Sequence, residues 1–268
     1  MMTYSILLAG YKGKMGQSCT KLIDSLPGFT LDVGLTPRES DRDETDPGFS
    51  SDVLPDGFRV YHDLSEIPDH AADIWLDFTT PSAVYSNVSY ALDHGMRPLV
   101  GTSGLTDQQE RILAQQAAAA GLGGIIAPNF GLSAVLLMKF ARQAAAYFPD
   151  AEVIEMHHGD KKDAPSGTAL ATAGLLAQAS DPEKRSLYSG QTETLPGARG
   201  GNFEGIHVHS IRLPGYLAHE EVLFGGPGEA LTIRQDSFDR SSFMGGVKVA
   251  LNAVMDLNQL VIGLENVL

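Results

Sequence analysis

Cysteine is almost missing from this chain: Cys19 stands alone among 268 residues. A single thiol excludes an internal disulfide and any multi-cysteine metal centre. Positive charge is scarce as well. Nineteen Lys and Arg face 33 Asp and Glu, a formal net charge of -14. Such a chain lacks the basic surface that releases counterions from nucleic acid. No apolar run approaches the roughly 18 residues of a bilayer span. The N-terminus shows no basic region ahead of an apolar stretch, the pattern of a secretory signal. Together these absences suit a cytoplasmic protein with neither nucleic acid nor membrane as partner. What remains is a globular composition, 43% hydrophobic, at a length that suits one large or two modest domains.

Because cations are few, their clustering is informative. Glu155-Met156-His157-His158-Gly159-Asp160-Lys161-Lys162 puts two imidazoles and two ammonium groups in one short stretch. Asp163-Ala164-Pro165 then makes a stiff turn. Ser166-Gly167-Thr168 opens an Ala/Leu-rich run of helical spacing that continues to Gln178. Ser166 is the expected cap of that helix, so its first free N–H groups face back toward the cations. Cations beside a helix N-terminus bind carboxylates or phosphates. A histidine next to such a site serves as a general acid near neutral pH, its unperturbed pKa being about 6.5. The plainer alternative is a polar loop with strand-capping histidines and solvated lysines.

The start of the chain reads differently. Tyr4 to Ala9 is short and apolar, a buried parallel strand. Gly10-Tyr11-Lys12-Gly13-Lys14-Met15-Gly16 follows, and Gln17 to Leu26 has helical periodicity. Strand, glycine turn and helix present backbone N–H groups to a pyrophosphate. The usual G-x-G-x-x-G spacing is absent, with Lys12 where the second glycine would fall. Lys14 adds a cation within reach of phosphate. A second absence lies at the end of the next strand, Phe29 to Leu35, where an acidic residue would bind the ribose 2′-hydroxyl. Thr36, Pro37 and Arg38 stand there instead. Without the carboxylate a 2′-phosphate is not repelled, and Arg38 can pair with it. The cofactor expected is NADPH or NADH, with NADPH slightly favoured. Alternatively, Arg38 merely opens a solvated loop.

Ala72 to Phe78, Pro98 to Val100 and Gly124 to Ala127 read as further buried strands. They end in small or polar loops at 77–81, 101–104 and 127–130. Ligands of open α/β sheets gather at the carboxyl ends of strands. Phe78, Thr79, Thr80, Gly101, Thr102, Ser103, Ala127, Pro128, Asn129 and Phe130 are therefore candidate cofactor contacts. Glu39 to Gly57 is a polar surface loop, and Tyr61 to Ile67 a short strand and turn. Val84 to His94, and a run from Asp107, are helices. Leu132 to Phe148 is a long apolar helix connecting two domains. Ala151 to Met156, Ile206 to Leu213, His219 to Phe224 and Ala230 to Gln235 are strands of a second sheet, and Asp181 to Gly201 is loop. His207 and His209 share a strand face, with Asp160 and Glu220 as conceivable metal partners. No further ligand sits at a persuasive short spacing, so no metal is expected. Arg240, a candidate hinge or cofactor contact, precedes a final helix, Val247 to Leu257. Gln259 to Leu268 is apolar enough to pack.

The fold class expected is α/β. A Rossmann-like doubly wound parallel sheet at 1–129 and 240–268 would bind the dinucleotide. A second α+β domain at 130–239, with a mixed or antiparallel sheet, would bind substrate and make oligomer contacts.

These residues also carry a resemblance. Glu155-x-His157-His158-x-x-Lys161-x-Asp163-Ala164-Pro165-Ser166-Gly167-Thr168-Ala169 resembles the substrate-domain motif of the 4-hydroxy-tetrahydrodipicolinate reductase (dihydrodipicolinate reductase) family. Gly13-Lys14-Met15-Gly16, Asp77-Phe78-Thr79-x-Pro81, Gly101-Thr102-x-Gly104 and Ala127-x-Asn129-Phe130 are similar to its cofactor motifs. Ser103 stands where Thr is common and Gly131 where Ser often follows Asn-Phe. The resemblance implies NAD(P)H-dependent reduction of 4-hydroxy-tetrahydrodipicolinate to tetrahydrodipicolinate, in diaminopimelate and lysine biosynthesis. It implies His157 as proton donor with Lys161 assisting, and a dicarboxylate held by His158, Ser166, Gly167 and Thr168. It also implies that the chain's end returns to the cofactor domain, and a homotetramer joined through the second-domain sheets. From the residues alone two other readings stay open. One is an NAD(P)-dependent dehydrogenase acting on an aldehyde or amino acid; its thioester form needs a cysteine at the reacting carbonyl, and Cys19 lies in the first helix. The other is a non-enzymatic dinucleotide sensor, which needs no proton donor.

Overall fold

The strand Tyr4–Ala9 (β1) is apolar on both faces, with Ile6, Leu7, Leu8 and Ala9 all fully buried. A parallel strand covered on both sides requires this. The structure, a computed structural model, describes residues 2–38, 54–185 and 192–268. Most of the Glu39 to Gly57 loop, and part of 181–201, lie outside the described residues. After β1 come α1 (Lys14–Ser25), β2 (Phe29–Leu35), β3 (Arg59–Tyr61) and β4 (Ile74–Asp77). Then follow α2 (Val84–Asp93), β5 (Arg97–Val100), α3 (Asp107–Ala120) and β6 (Gly124–Ile126). The chain continues with α4 (Leu132–Ala145), β7 (Asp150–His157), α5 (Gly167–Ala179), β8 (Gly201–Phe203) and β9 (Ile206–Arg212). It closes with β10 (Ala218–Gly226), β11 (Glu229–Ser237), α6 (Met244–Val254) and β12 (Leu260–Ile262).

By contacts the chain divides into two compact units, 1–130 with 243–268, and 131–242. Unit 1 holds a seven-stranded sheet in the order β12-β6-β5-β4-β1-β2-β3, every pair parallel. Apart from β12 this is the doubly wound order, in which the strands reverse direction of travel between β1 and β4. Ala9 pairs with Asp77, Asp77 with Val100, and Val100 with Ile126. The carboxyl ends of these strands therefore lie along one edge, and the loops that follow them share it.

Unit 2 holds a five-stranded sheet in the order β11-β10-β7-β9-β8. β7 pairs with β9 in parallel and with β10 antiparallel, and the two outer pairs are antiparallel. The sheet is thus mixed. Leu137, Ala141 and Ala145 of α4 and Ala169, Ala173 and Leu176 of α5 pack on Val153, Val208, Val222 and Phe224. Small residues along both helices let them lie close to the strands.

Two elements differ from the sequence expectation in kind. Gln259 to Leu268, expected only to pack, contains β12, which pairs with β6 through Leu260 and Gly124. Asp181 to Gly201, expected as loop, includes a 3-10 turn at Pro182–Lys184, and its last residue begins β8. Strands of three residues are too short to show a period of two. The long apolar helix also stops early: Ala144 accepts from both Tyr147 and Phe148 N–H groups, and α4 ends at Ala145.

Candidate active site

The turn after β1 works by omission. Gly10 adopts φ 81°, in the left-handed region, which glycine enters without a Cβ penalty. A Cβ on Gly10 would run into the Phe78 carbonyl oxygen, and one on Gly16 into the Gly10 carbonyl oxygen. Gly13 donates to Gly10 O at 3.0 Å and Gln17 to Gly13 O at 2.9 Å. Gly13 is also the N-cap of α1 and has no side chain with which to accept from the first turn. The first helical N–H groups, at Lys14, Met15 and Gly16, therefore have no side-chain cap. Lys14 is exposed, and Lys12 Nζ lies 5.8 Å from the Tyr11 ring centroid. The Tyr11 ring is buried edge-on against Phe58 at 5.2 Å, so it supports the turn from beneath.

At the end of β2, Thr36 is buried and donates its N–H to Tyr61 O at 3.1 Å. Arg38 is exposed and pairs with Glu66 at 3.1 Å. The other Glu66 oxygen accepts from His62 N–H at 2.9 Å. That backbone hydrogen bond and the Arg38 guanidinium hold the Glu66 carboxyl below its usual range. Sequence reasoning missed this carboxylate, which arrives 28 residues after Arg38.

The loops after β4 and β5 are tied together by Asp77, which is fully buried. It accepts from Trp75 Nε1 at 3.1 Å, Asn87 Nδ2 at 2.8 Å, Thr79 Oγ1 at 2.7 Å and Thr102 Oγ1 at 2.7 Å. The Thr79 and Thr102 hydroxyls thus shape the loops. Thr80 and Ser103 are exposed, with Thr80 Oγ1 3.0 Å from Ser82 Oγ. Gly101 leaves room for the Phe78 ring, which packs on Phe130 at 5.8 Å. Ala127 and Phe130 are buried, Pro128 is exposed, and Asn129 lies between these extremes. Unit 1 therefore gathers the loops 10–16, 36–38, 78–80, 101–103 and 127–130 on the carboxyl edge of one sheet.

Unit 2 concentrates charge. Val153, Glu155 and His157 alternate onto one face of β7. Glu155 is fully buried, and its Oε2 lies 2.5 Å from His157 Nδ1. Arg212 of β9 grips both Glu155 oxygens, at 2.8 and 2.7 Å, and donates to Asp163 O at 2.7 Å. Ser166 N–H donates to Glu155 Oε1 at 3.2 Å, while Ser166 Oγ caps α5 by accepting from Ala169 N–H at 3.2 Å. Lys161 Nζ donates to both Asp163 oxygens, at 2.7 and 2.9 Å. The Ala164–Pro165 peptide is cis. Gly167 faces open space, with nothing within 4 Å of a Cβ placed there. Thr168 is half-buried and His158 exposed.

Burial, joined by the Lys161 and Arg212 charges, holds the His157 imidazolium below its ordinary pKa of 6.5, although Glu155 pulls it upward. Burial also opposes ionisation of Glu155. Hydrogen bonds from Arg212, Ser210 and His157 outweigh it, and the carboxyl lies below its usual range. The Lys161 ammonium is the main cause of the lowered Asp163 pKa. The sequence-predicted His157, Lys161 and Ser166 are thus brought into one network. Arg212 was missed: it lies 57 residues from Glu155, and no local pattern marks it.

The remaining candidates fall elsewhere. Arg240 is exposed at the start of a 3-10 turn, Arg240–Phe243. His209 Nε2 lies 2.8 Å from Glu152, which also pairs with Arg199. Among the described residues no group of three or more His, Cys, Asp or Glu gathers to hold a metal. Burial in α1 pushes the Cys19 thiol up to about 12, far from a reactive thiolate. Among the described residues no helix is long and apolar enough to cross a membrane.

Residues 4–130 match the model of the dihydrodipicolinate reductase N-terminus, and 133–268 that of the C-terminus. The chain is 60% identical to 4-hydroxy-tetrahydrodipicolinate reductase of Limosilactobacillus fermentum, over 98% of this chain and 99% of that one. It is 45% identical to the protein of that name from Streptococcus suis, over all of both chains. A dipicolinate-bound dihydrodipicolinate reductase from Paenisporosarcina sp. TG-14 shares 42% identity over all of both chains, with a TM-score of 0.91. A scyllo-inositol dehydrogenase from Lactobacillus casei, 13% identical with a TM-score of 0.58, shares the fold alone. The chain belongs to the dihydrodipicolinate reductase family.

Proposed function

We propose that this protein reduces 4-hydroxy-tetrahydrodipicolinate to tetrahydrodipicolinate with NAD(P)H, in diaminopimelate and lysine biosynthesis. The observation that carries the reaction is full-length identity of 60% to a reductase of that name. Unit 1 is the dinucleotide-binding part. Its uncapped α1 start and glycine-spaced turn fit a pyrophosphate, since backbone N–H groups can approach it closely. Lys14 adds charge. The loops at 78–80, 101–103 and 127–130 face the nicotinamide end, and Thr36 and Arg38 the ribose. Arg38 favours NADPH, and the paired Glu66 keeps NADH acceptable.

Unit 2 holds the dicarboxylate. The N–H groups of Gly167 and Thr168 at the start of α5, with His158 and Ser166, take one carboxylate. Lys161 lies beside the ring. Bound reduced nicotinamide supplies the hydride. The substrate's hydroxyl leaves as water, hydride adds to the unsaturated ring, and one proton restores neutrality. His157 donates that proton and Lys161 assists. The substrate's negative charge favours the imidazolium that burial disfavours, so the acid is charged when it is needed.

The oligomer proposed is a homotetramer. The edge strand β11 exposes Glu229 to Thr232, and a partner subunit would cover it. Light scattering on the purified protein tests this, and a monomer would contradict it.

The test of the chemistry is a pair of variants. His157→Gln and Lys161→Ala should each lower kcat by about 10²–10⁴-fold, the range for a lost general acid. Near-normal turnover in both would remove the mechanism.

A further inference from the structure

We infer that Glu155 is a positioning residue: locked by Arg212, its carboxylate keeps a proton on His157 Nδ1 and so leaves Nε2 as the atom that delivers the transferred proton. This rests on the reading of His157 as proton donor and extends it by one residue.

The geometry carries the inference. Glu155 is fully buried, and its Oε2 approaches His157 Nδ1 to 2.5 Å. A carboxylate oxygen only accepts, so the nitrogen facing it must carry hydrogen. The carboxylate cannot swing away. Arg212 holds it in a two-pronged grip at 2.8 and 2.7 Å, and the Ser166 N–H donates to it at 3.2 Å. Ser166 is also the cap of α5. One carboxylate therefore fixes the acid's ring and ties it to the helix start proposed to bind substrate. During transfer the Nε2–H bond breaks and its electron pair stays on nitrogen. The proton joins the ring made electron-rich by hydride addition. The Nδ1–H bond persists, still donated to Glu155.

Other charged groups around this pair do not replace Glu155. Lys161 and Arg212 both repel an imidazolium at His157, and Asp163 is engaged by Lys161. Glu220 of β10 stands opposite Glu155 in the strand register. Its Oε1 is buried without a hydrogen-bond partner, and burial pushes its carboxyl up to about 7. Below neutrality it is mostly uncharged, and in the register it faces Glu155, while His157 pairs with Ala218.

The test compares Glu155→Gln, Glu155→Asp and His157→Gln with the natural chain. Glu155→Gln should lower kcat by about 10²-fold, within the range spanned by loss of the acid itself. KM for the dicarboxylate and Kd for NADPH should stay within about threefold, because ground-state binding is retained. Removing Glu155 removes an anion that raises the His157 pKa, so the alkaline fall of kcat/KM should move to lower pH. Glu155→Asp keeps the charge, and its profile should lie between the other two. Nitrogen-15 NMR of the natural protein, at a pH where His157 is neutral, should show hydrogen on Nδ1 and a bare Nε2. That measurement stands even if Glu155→Gln fails to fold with Arg212 unpaired. If His157→Gln is inactive while Glu155→Gln keeps its rate and pH limb, or if NMR finds the proton on Nε2, the positioning role is overturned. If His157→Gln turns over normally, the proton-donor reading itself fails.

Discussion

The two helix starts that the proposed ligands use are built in opposite ways. α1 begins at Gly13, with no capping side chain and no acidic residue in its first turn. Its neighbours Gly10 and Gly16 are sites where a Cβ would collide with backbone. α5 begins at Ser166, which caps it, and the surroundings are crowded with Glu155, His157, Lys161, Asp163 and Arg212. The first start invites an anion by removing atoms. The second adds charges and balances them against one another. A site made of backbone donors has nothing to titrate between pH 5 and 8, whereas one made of imidazole and carboxylate responds to pH. On this account the backbone site of unit 1 holds a pyrophosphate indifferently to pH, and the pH sensitivity of proton transfer belongs to unit 2.

The largest test of the contrast is loss of the acid. His157→Gln and Lys161→Ala should cut kcat by about 10²–10⁴-fold while NADPH affinity, measured by fluorescence titration, stays unchanged. A matching loss of NADPH affinity would break the separation. Next comes pH. Proton donation requires the His157 imidazolium, whose pKa in the free protein lies below 6.5. kcat/KM should therefore fall about tenfold per unit as pH rises above that value, because it reports the free enzyme. The fall in kcat should sit at higher pH, because a bound dicarboxylate favours the imidazolium. A kcat/KM that is level from pH 5.5 to 8 would contradict the assignment. In the other unit, Gly16→Ala should weaken NADPH binding by roughly 5- to 150-fold, the equivalent of about 1–3 kcal/mol of overpacking. It should leave the pH profile untouched. The smallest effect is expected at Glu66→Gln. Freeing Arg38 from its partner should raise the ratio of NADPH to NADH efficiency by about 1.5- to 5-fold, as suits an exposed pair. A fall in that ratio would show that Arg38 does not meet the 2′-phosphate.

The same contrast decides what was legible in the sequence. The glycine turn could be read because much of its constraint is local: Gly10 has a positive φ, and a Cβ on Gly16 would meet the Gly10 carbonyl oxygen. The 155–169 stretch could be read because residue types and spacing lie side by side, and Ser166 does cap α5. The parallel order of the first sheet followed from short apolar strands alternating with helices. What stayed hidden arrives from a distance. Arg212 meets Glu155 only because β9 pairs with β7, a register that no local pattern announces. Asp77 was visible as part of a motif, but its role in joining two loops depends on Thr102 and Asn87 from other elements. Glu66 supplies beside Arg38 a carboxylate that the motif rule sought at the end of β2. β8 and β12 have three residues each, too few to show a period.

The most direct measurement is the oxidation of NADPH and of NADH, followed by nicotinamide absorbance, with freshly prepared 4-hydroxy-tetrahydrodipicolinate. The account predicts loss of absorbance that depends on this substrate, one reduced cofactor consumed per tetrahydrodipicolinate formed, and a higher efficiency with NADPH. Tight binding of both cofactors with no oxidation of either would contradict it.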